Sequence, residues 1–256
     1  MPLGGILPAA FFLRECLFPF GCPICGGVLA GFGESWAGLC LPCRLGIEAA
    51  LGERLAGGSC PRCGRPLAPG REACLSCRGG DGGDGPPSGG ALDGALALFP
   101  YAGKCRRLLA AYKFGGSIAL GNFFAEKMLE ALGSGALGQG AGACAVPVPP
   151  RPGRLREAGW DQVEFLARRL ERKAGKSAGL PVSRCLRRLP SESQKGLGLA
   201  GRRSNLRGRI EPTRQAPEIA VVVDDVTTTG FTLAACAAAL REAGAKAVFG
   251  LCLFYD

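Results

Sequence analysis

The spacing of apolar residues alternates along the second half of the chain between the period of a helix and that of a buried strand. Four segments have apolar residues at helical spacing: 104–114, 118–132, 160–175 and 231–244. Four short apolar runs predict strands: 95–101, 144–149, 218–226 and 247–256. Because strands alternate with helices, the pattern predicts an α/β fold with a parallel sheet flanked by helices.

The run VVVDDVTTTG at 221–230 lies at a junction between a strand and a helix. We expect the strand to cover 219–223, with both faces buried, so that Asp224 and Asp225 follow its carboxyl end. Ligands of parallel sheets bind at this end, and the start of a helix attracts anions. Two carboxylates beside an anion site predict a ligand with phosphate, hydroxyls and a divalent cation such as Mg²⁺. A ribose phosphate has these groups, whereas a helix cap without a ligand is the simpler alternative.

The composition narrows the possible chemistry. The chain has 256 residues, 47% of them hydrophobic, which is enough for one large domain or two ordinary ones. It contains no histidine, so Ser-His and Cys-His nucleophile pairs and histidine metal sites are excluded. The apolar start MPLGGILPAAFFL is short and has no basic leader. We therefore expect a cytoplasmic protein that does not insert into a membrane.

Positive charge is concentrated in one part of the chain. Residues 1–90 hold seven Lys/Arg and seven Asp/Glu, whereas residues 151–215 hold 17 Lys/Arg and six Asp/Glu, a net charge of +11. A surplus of this size predicts an anionic partner, either a small polyphosphate or nucleic acid. A solvated basic face is the alternative.

Eight of the 14 cysteines form four Cys-x-x-Cys pairs near the start of the chain. Each pair can place two thiolates on one metal ion, and two pairs complete a tetrahedral site. The spacing predicts two structural zinc ions held by Cys22, Cys25, Cys40, Cys43, Cys60, Cys63, Cys74 and Cys77. Consecutive pairing is the simplest arrangement, and interleaved pairing stays open. We expect most of the other cysteines to be ordinary buried thiols.

The stretch RGGDGGDGPPSGG, at 78–90, contains almost only Gly, Pro, Asp and Ser, so we interpret it as a flexible linker. The expected organisation is a double zinc-ribbon domain over 1–78, a linker over 79–90 and an α/β domain over 91–256.

The stretch from Asp224 to Gly230 resembles the PRPP-binding signature of type I phosphoribosyltransferases. The resemblance implies that Asp224 and Asp225 are the catalytic carboxylates and meet the ribose hydroxyls. It also implies that the 5′-phosphate is held by the turn and the start of the helix, which supply Val226, Thr227, Thr228, Thr229, Gly230 and Thr232.

The order of further segments resembles the ComF family, phosphoribosyltransferase-like competence proteins with an amino-terminal double zinc ribbon. The matching segments are LFPFGCPICG, YAGKCRRLLAAYKFGG, VPVPPRPGRLREAGWDQVEFLARRL and SQKGLGLAGRRSNLRG. The resemblance implies a type I phosphoribosyltransferase-like fold and further phosphate-binding residues, namely Lys113, Arg151, Arg154, Arg156, Gln194 and Arg202. One departure is that AGWDQ at 158–162 replaces the family's Arg-Gly-Phe-Asn-Gln, so a cation is lost and an acid is gained where these folds bind pyrophosphate.

Two functions follow from the resemblance. In the first, the chain binds PRPP or a related ribose phosphate with Mg²⁺ and is linked to DNA uptake. As an enzyme it would transfer ribose phosphate to a nitrogen nucleophile and release pyrophosphate. The alternative is a non-catalytic protein of the competence machinery that binds single-stranded DNA or acts as a scaffold for a helicase.

Overall fold

The computed structural model describes residues 21–78, 92–115, 117–153, 159–174, 180–190 and 209–256. Its central sheet has four parallel strands in the spatial order β1 (Gly94–Pro100), β6 (Ala247–Tyr255), β5 (Ile219–Thr227) and β2 (Cys144–Pro147). Two short strands, β3 (Leu186–Arg188) and β4 (Ile210–Pro212), pair antiparallel in a second sheet. The predicted parallel α/β architecture is therefore confirmed.

Seven helices occur in the described residues. They are α1 (Gly31–Ala37), α2 (Leu41–Ala56), α3 (Leu75–Arg78), α4 (Gly103–Lys113), α5 (Leu120–Gly133), α6 (Gln162–Ala174) and α7 (Phe231–Glu242). The last four correspond to the four helices that the apolar spacing predicts, whereas α1 to α3 lie in the cysteine-rich part of the chain. None of the helices in the described ranges has the length and apolar character that a membrane span requires.

Alternate residues of each strand face two different helical layers. Val221 and Val223 of β5 pack with the layer of α4, α5 and α6, whereas Ala220 and Val222 pack with α7. Both faces of the strand are buried, as its continuous apolar run predicts. The expectation that the strand ends at residue 223 is wrong, because pairing with β6 continues as far as Thr227 opposite Tyr255.

The cysteine-rich module, residues 21–78, shares an apolar core with the sheet. Leu39 and Leu51 of the module belong to the same cluster of buried residues as Phe123 of α5. An ion pair between Glu48 Oε1 and Lys127 Nζ, 2.8 Å long, joins α2 to α5, and the Lys127 side chain is only 5% exposed. The module is therefore packed against the α/β part, while the chain between them, residues 79–91, lies outside the described residues.

The turn that follows Cys60 and Cys63 covers the edge of β1. The N–H of Ala97 donates a hydrogen bond of 3.0 Å to the carbonyl of Gly64, so this edge of the sheet is partly paired. Gly64 has a φ of +75°, and a Cβ added there would lie 2.7 Å from backbone atoms of Leu96 and Ala97. Only glycine permits both the left-handed backbone and this close approach.

We predict that Gly64→Ala lowers the free energy of unfolding of the metal-loaded chain by about 2–5 kcal/mol. The left-handed backbone costs about 1–2 kcal/mol for alanine, and the overlap with β1 adds about 1–3 kcal/mol. Gly26 is the matched control, because it occupies the same place in the first turn, with a φ of +77° and no atom within 4 Å of an added Cβ. Denaturant titration should give a clearly smaller loss for Gly26→Ala, and equal losses would contradict the packing described here.

Candidate functional site

The carboxyl end of β5 presents its two acidic side chains to opposite faces of the sheet. Asp225 faces α4, where its Oδ2 lies 2.9 Å from Nζ of Lys113. Asp224 is buried on the side of α7, where it interacts electrostatically with the guanidinium of Arg188 and lies near the thiol of Cys236. The alternation follows from the extended backbone, since successive side chains of a strand point to opposite faces.

Burial raises the pKa of the Asp224 carboxyl group above its ordinary value. Loss of water around it, followed by the neighbouring charge of Asp225, raises the pKa of Asp224 to about 8. The N–H of Asp225 donates a hydrogen bond of 2.8 Å to Asp224 Oδ1 and opposes this shift, as do the charges of Lys113 and Arg188. The protonated form of this carboxyl group is therefore favoured far more than it is for an exposed aspartate.

Lys113 is held by the last turn of α4. Its carbonyl accepts a hydrogen bond of 3.3 Å from Gln162 Nε2, and the hydroxyl of Tyr112 donates one of 2.8 Å to the carbonyl of Gln162. Tyr112 is completely buried and packs edge-on against Trp160. The sequence prediction singled out Lys113 for phosphate binding, and the structure brings it to the same strand end as Asp225.

The loop between β5 and α7 has the features of an anion-binding turn. Gly230 adopts a φ of +75° and precedes the first residue of α7, with no side-chain cap among the described residues. The hydroxyl of Thr227 is buried and has no hydrogen-bond partner within the described part of the chain. Thr228 is exposed and Thr229 and Thr232 are half-buried, whereas Val226 packs on the core. The loop thus offers hydroxyls and the N–H groups of a helix start.

The loop after β2 forms a cavity beside this strand end. Val148, just past β2, donates a hydrogen bond of 3.0 Å to the carbonyl of Val223, so the two strand ends are adjacent. The cavity measures about 450 Å³ and is lined by Arg151 and Arg188 together with prolines 149, 150 and 152. Burial, and next the charge of Arg151, lowers the pKa of Arg188.

Arg188 is a candidate residue that sequence reasoning missed. It follows Arg187 in the stretch CLRRLP, which contributes to the basic region at 151–215 but matches no motif. Only the fold places Arg188 near Asp224, since β3 returns the chain to the face covered by α7. The neighbouring Arg187 also lines the cavity, but it forms an ion pair of 2.9 Å with Glu211.

The acid at position 161 has a structural role. Oδ1 of Asp161 accepts hydrogen bonds from the N–H groups of Val163 and Glu164, at 3.0 and 2.9 Å, and thereby caps the start of α6. This geometry explains an acid at this position without a ligand. Four other predicted phosphate-binding residues, Arg154, Arg156, Gln194 and Arg202, lie outside the described residues.

The eight predicted cysteine ligands gather into two groups of four. Cys22, Cys25, Cys40 and Cys43 form one group, and Cys60, Cys63, Cys74 and Cys77 form the other. Within each group all sulfur atoms lie within 4.8 Å of one another, so each could hold a metal ion. The grouping matches consecutive rather than interleaved pairing.

Both cysteine groups are built in the same way. The first pair of each lies on a tight turn closed by backbone hydrogen bonds of 2.8 Å, from Gly26 to Cys22 and from Gly64 to Cys60. The second pair brackets the start of a helix, α2 in one group and α3 in the other. Hydrogen bonding from Cys63 is the main cause that lowers the pKa of the Cys60 thiol, whereas the pKa values of the Cys63 and Cys77 thiols are raised.

No protein-family model matches the chain, and a search of curated proteins finds no match either. The class of this protein is therefore defined by its fold and by the geometry of its site. The chain is an α/β protein with a four-stranded parallel sheet and an amino-terminal module that contains two four-cysteine groups.

We predict that, because of Asp224, the free energy of unfolding of the protein falls as the pH rises. The pKa of this group is about 8 in the folded chain against 3.8 as its ordinary value, so the folded state binds the extra proton between these limits. Between about pH 4 and 8, the free energy of unfolding should fall by up to roughly 1.4 kcal/mol per pH unit from this group. Asp224→Asn should flatten this slope in urea titrations at a series of pH values.

Asp225→Asn offers a second variant with a different expected result. It removes the neighbouring charge that helps to raise the pKa of Asp224, so the pH dependence should persist but end at a lower pH. If the free energy of unfolding had the same pH dependence in the wild type and in Asp224→Asn, the raised pKa of the buried Asp224 would be contradicted.

Proposed function

We propose that the chain binds PRPP or a related ribose phosphate, together with Mg²⁺, as a protein of the ComF type with a phosphoribosyltransferase-like fold. One observation carries the proposal. Two acidic residues and a threonine-rich loop before a helix lie at the carboxyl end of β5, and an arginine-lined cavity lies beside the adjacent end of β2. Ligands of such sheets bind at this edge.

The proposed roles follow the chemistry of the side chains. The loop Thr227–Gly230 would hold the 5′-phosphate, because the buried Thr227 hydroxyl and the helix start supply hydrogen-bond donors. Arg151 and Arg188 would bind the pyrophosphate in the adjacent cavity. Asp225 would accept hydrogen bonds from the ribose hydroxyls in place of its ion pair with Lys113.

If the bound ligand reacts, the C1–O bond to pyrophosphate breaks and a C1–N bond to the acceptor forms. Positive charge develops on the ribose ring, and the arginines near the leaving group stabilise the pyrophosphate as it departs. Mg²⁺ bound with the ligand would neutralise phosphate oxygens. Lys113 would be released from Asp225 and become available to the same phosphates.

Zinc is the metal that best suits the two cysteine groups. Four thiolates in a tetrahedron with Zn–S distances of about 2.3 Å lie about 3.8 Å apart. Sulfur atoms of Cys25 and Cys40 are 3.6 Å apart, as are those of Cys63 and Cys74. A borderline-soft ion with four thiolates and no open position is typical of a structural site.

We expect the purified chain to contain two zinc ions, measured by native mass spectrometry. Cys25→Ser/Cys40→Ser removes half of the first group and should leave one ion in the folded protein. Cys105→Ser is the control, because Cys105 is a buried thiol outside both groups. An unchanged zinc content in the double variant, or a loss in the control, would contradict the assignment.

The links to DNA uptake, single-stranded DNA, a competence helicase and the cytoplasm rest on the resemblance and sequence composition, and they stay predictions. Several described arginines of the basic region are already paired within the chain. Arg168 and Arg184 lie 2.9 and 3.0 Å from Glu164, and Arg187 lies 2.9 Å from Glu211. We therefore place the ribose phosphate first among the ligands to be tested.

Calorimetric titration with PRPP and Mg²⁺ tests the proposal. We expect the full chain to bind PRPP only when Mg²⁺ is present, and Asp224→Asn/Asp225→Asn to weaken binding at least tenfold, the effect of losing about 1.4 kcal/mol. Glu218→Gln is a control for lost charge, because Glu218 is an exposed carboxylate just before the other end of β5. Unchanged affinity in the double variant would remove these acids from the site.

A further inference from the structure

The cysteine-rich module contacts the candidate phosphate loop directly. The guanidinium of Arg65 donates a hydrogen bond from Nη2 to the carbonyl of Thr228, between β5 and α7. Arg65 belongs to the turn CPRCGR of the second cysteine group, 163 residues away in the sequence. The contact therefore joins a metal-binding turn to a ligand-binding loop.

We propose that Arg65 is a positioning residue that sets the orientation of the loop for the phosphate group, so that the second cysteine group supports ligand binding. The inference rests on the proposed function for its ligand. Its structural part, the positioning of the loop by Arg65, depends only on contacts within the chain.

The backbone of Arg65 is anchored on two sides. On one side, its carbonyl accepts a hydrogen bond of 2.8 Å from the N–H of Cys60, whose sulfur is buried in the second cysteine group. On the other side, the preceding Gly64 accepts the hydrogen bond from Ala97 at the edge of β1. A metal ion bound to Cys60 and Cys63 would restrain the same turn.

A second arginine supports the turn from α2. Nη2 of Arg54 donates hydrogen bonds to the carbonyl of Gly64, at 2.6 Å, and to Oγ of Ser59, at 3.0 Å. Its guanidinium carbon also lies 5.7 Å from the centre of the Tyr255 ring, and Tyr255 is the partner of Thr227 in the sheet register. The support therefore extends from the module to the strand end that precedes the loop.

The hydrogen bond from Arg65 also fixes the direction of the next backbone N–H group, that of Thr229, because the peptide bond is planar. In a trans peptide the carbonyl of one residue and the N–H of the next point in opposite directions. The hydrogen bond from Arg65 holds the Thr228 carbonyl towards the module, so the N–H of Thr229 is directed away from the module. A fixed backbone N–H in such a loop is a preorganised donor for a phosphate oxygen.

Arg62→Ala is the matched control for Arg65→Ala. Both arginines lie in the same turn and carry the same charge, but Nη1 of Arg62 donates within the module, to the carbonyl of Cys77 at 2.7 Å. Arg65→Lys is the conservative variant, since an ammonium group can donate to the same carbonyl and should restore part of the effect. Full-length chains loaded with zinc are used throughout.

Hydrogen–deuterium exchange of the peptide 226–233 tests the positioning without any ligand. We expect Arg65→Ala to accelerate exchange in this peptide about tenfold, the factor for one lost charge-assisted hydrogen bond, with unchanged zinc content. Arg62→Ala should leave exchange in this peptide unchanged, and Arg65→Lys should lie between Arg65→Ala and wild type. Unchanged exchange in Arg65→Ala, or equal acceleration in both alanine variants, would overturn the positioning role.

Calorimetry with PRPP and Mg²⁺ tests the consequence for binding. We expect Arg65→Ala to raise the Kd for PRPP about tenfold and Arg62→Ala to leave it unchanged. Faster exchange with an unchanged Kd would overturn the link between loop orientation and binding. A wild-type chain that does not bind PRPP would overturn the proposed function and the ligand step with it, while the exchange measurement would still decide whether Arg65 positions the loop.

Discussion

The pairing of β5 with β6 beyond residue 223 determines the character of the candidate site. It carries Asp224 and Asp225 into the sheet as strand residues, opposite Cys252 and its neighbours. Since successive residues of a strand face opposite layers, one carboxyl group is buried beneath α7 and the other meets Lys113 of α4. Two adjacent residues of the same type thereby acquire different surroundings.

The same extension joins the site to the amino-terminal module. Thr227, the last residue of β5, lies opposite Tyr255 of β6, and the ring of Tyr255 lies near the guanidinium of Arg54. The module also covers the edge of β1 and contributes to the apolar core. Removal of residues 1–78 would therefore expose apolar surface and a strand edge. Activity of the isolated α/β part would show that this part folds without the module.

Much of the α/β part could be predicted because its elements have strong local signals. All eight helices and strands predicted from apolar spacing occur in the structure, within a few residues of the expected bounds. The Cys-x-x-Cys pairs likewise indicated the two cysteine groups, although consecutive pairing needed the fold. The narrower expectation that this strand ends at residue 223, before the acids, was wrong, because acidic residues rarely continue a buried strand and the pairing with β6 keeps them in it.

The features that sequence reasoning missed depend on contacts between distant residues. Arg188 reaches Asp224 only because β3 lies on the face covered by α7, and Arg65 reaches Thr228 only because the module packs on the edge of the sheet. The helices of the module were not predicted, and α3 is a single turn of four residues next to its cysteines. Asp161 looked like a change in a ligand-binding loop, but local hydrogen bonds to α6 account for it.

The balance of charge at the sheet edge distinguishes the possible ligands. A nucleic-acid backbone is bound mainly by unpaired Lys and Arg, and nearby carboxylates repel it. At this edge Arg188 acts on Asp224 and lines a cavity with Arg151, while Lys113 forms an ion pair with Asp225. Such a mixture suits a ligand that carries phosphates at two ends and hydroxyls or a cation between them, because each acid then has a partner. For this reason we propose a ribose with two phosphate groups, ahead of a uniform polyanion, as the ligand of this site.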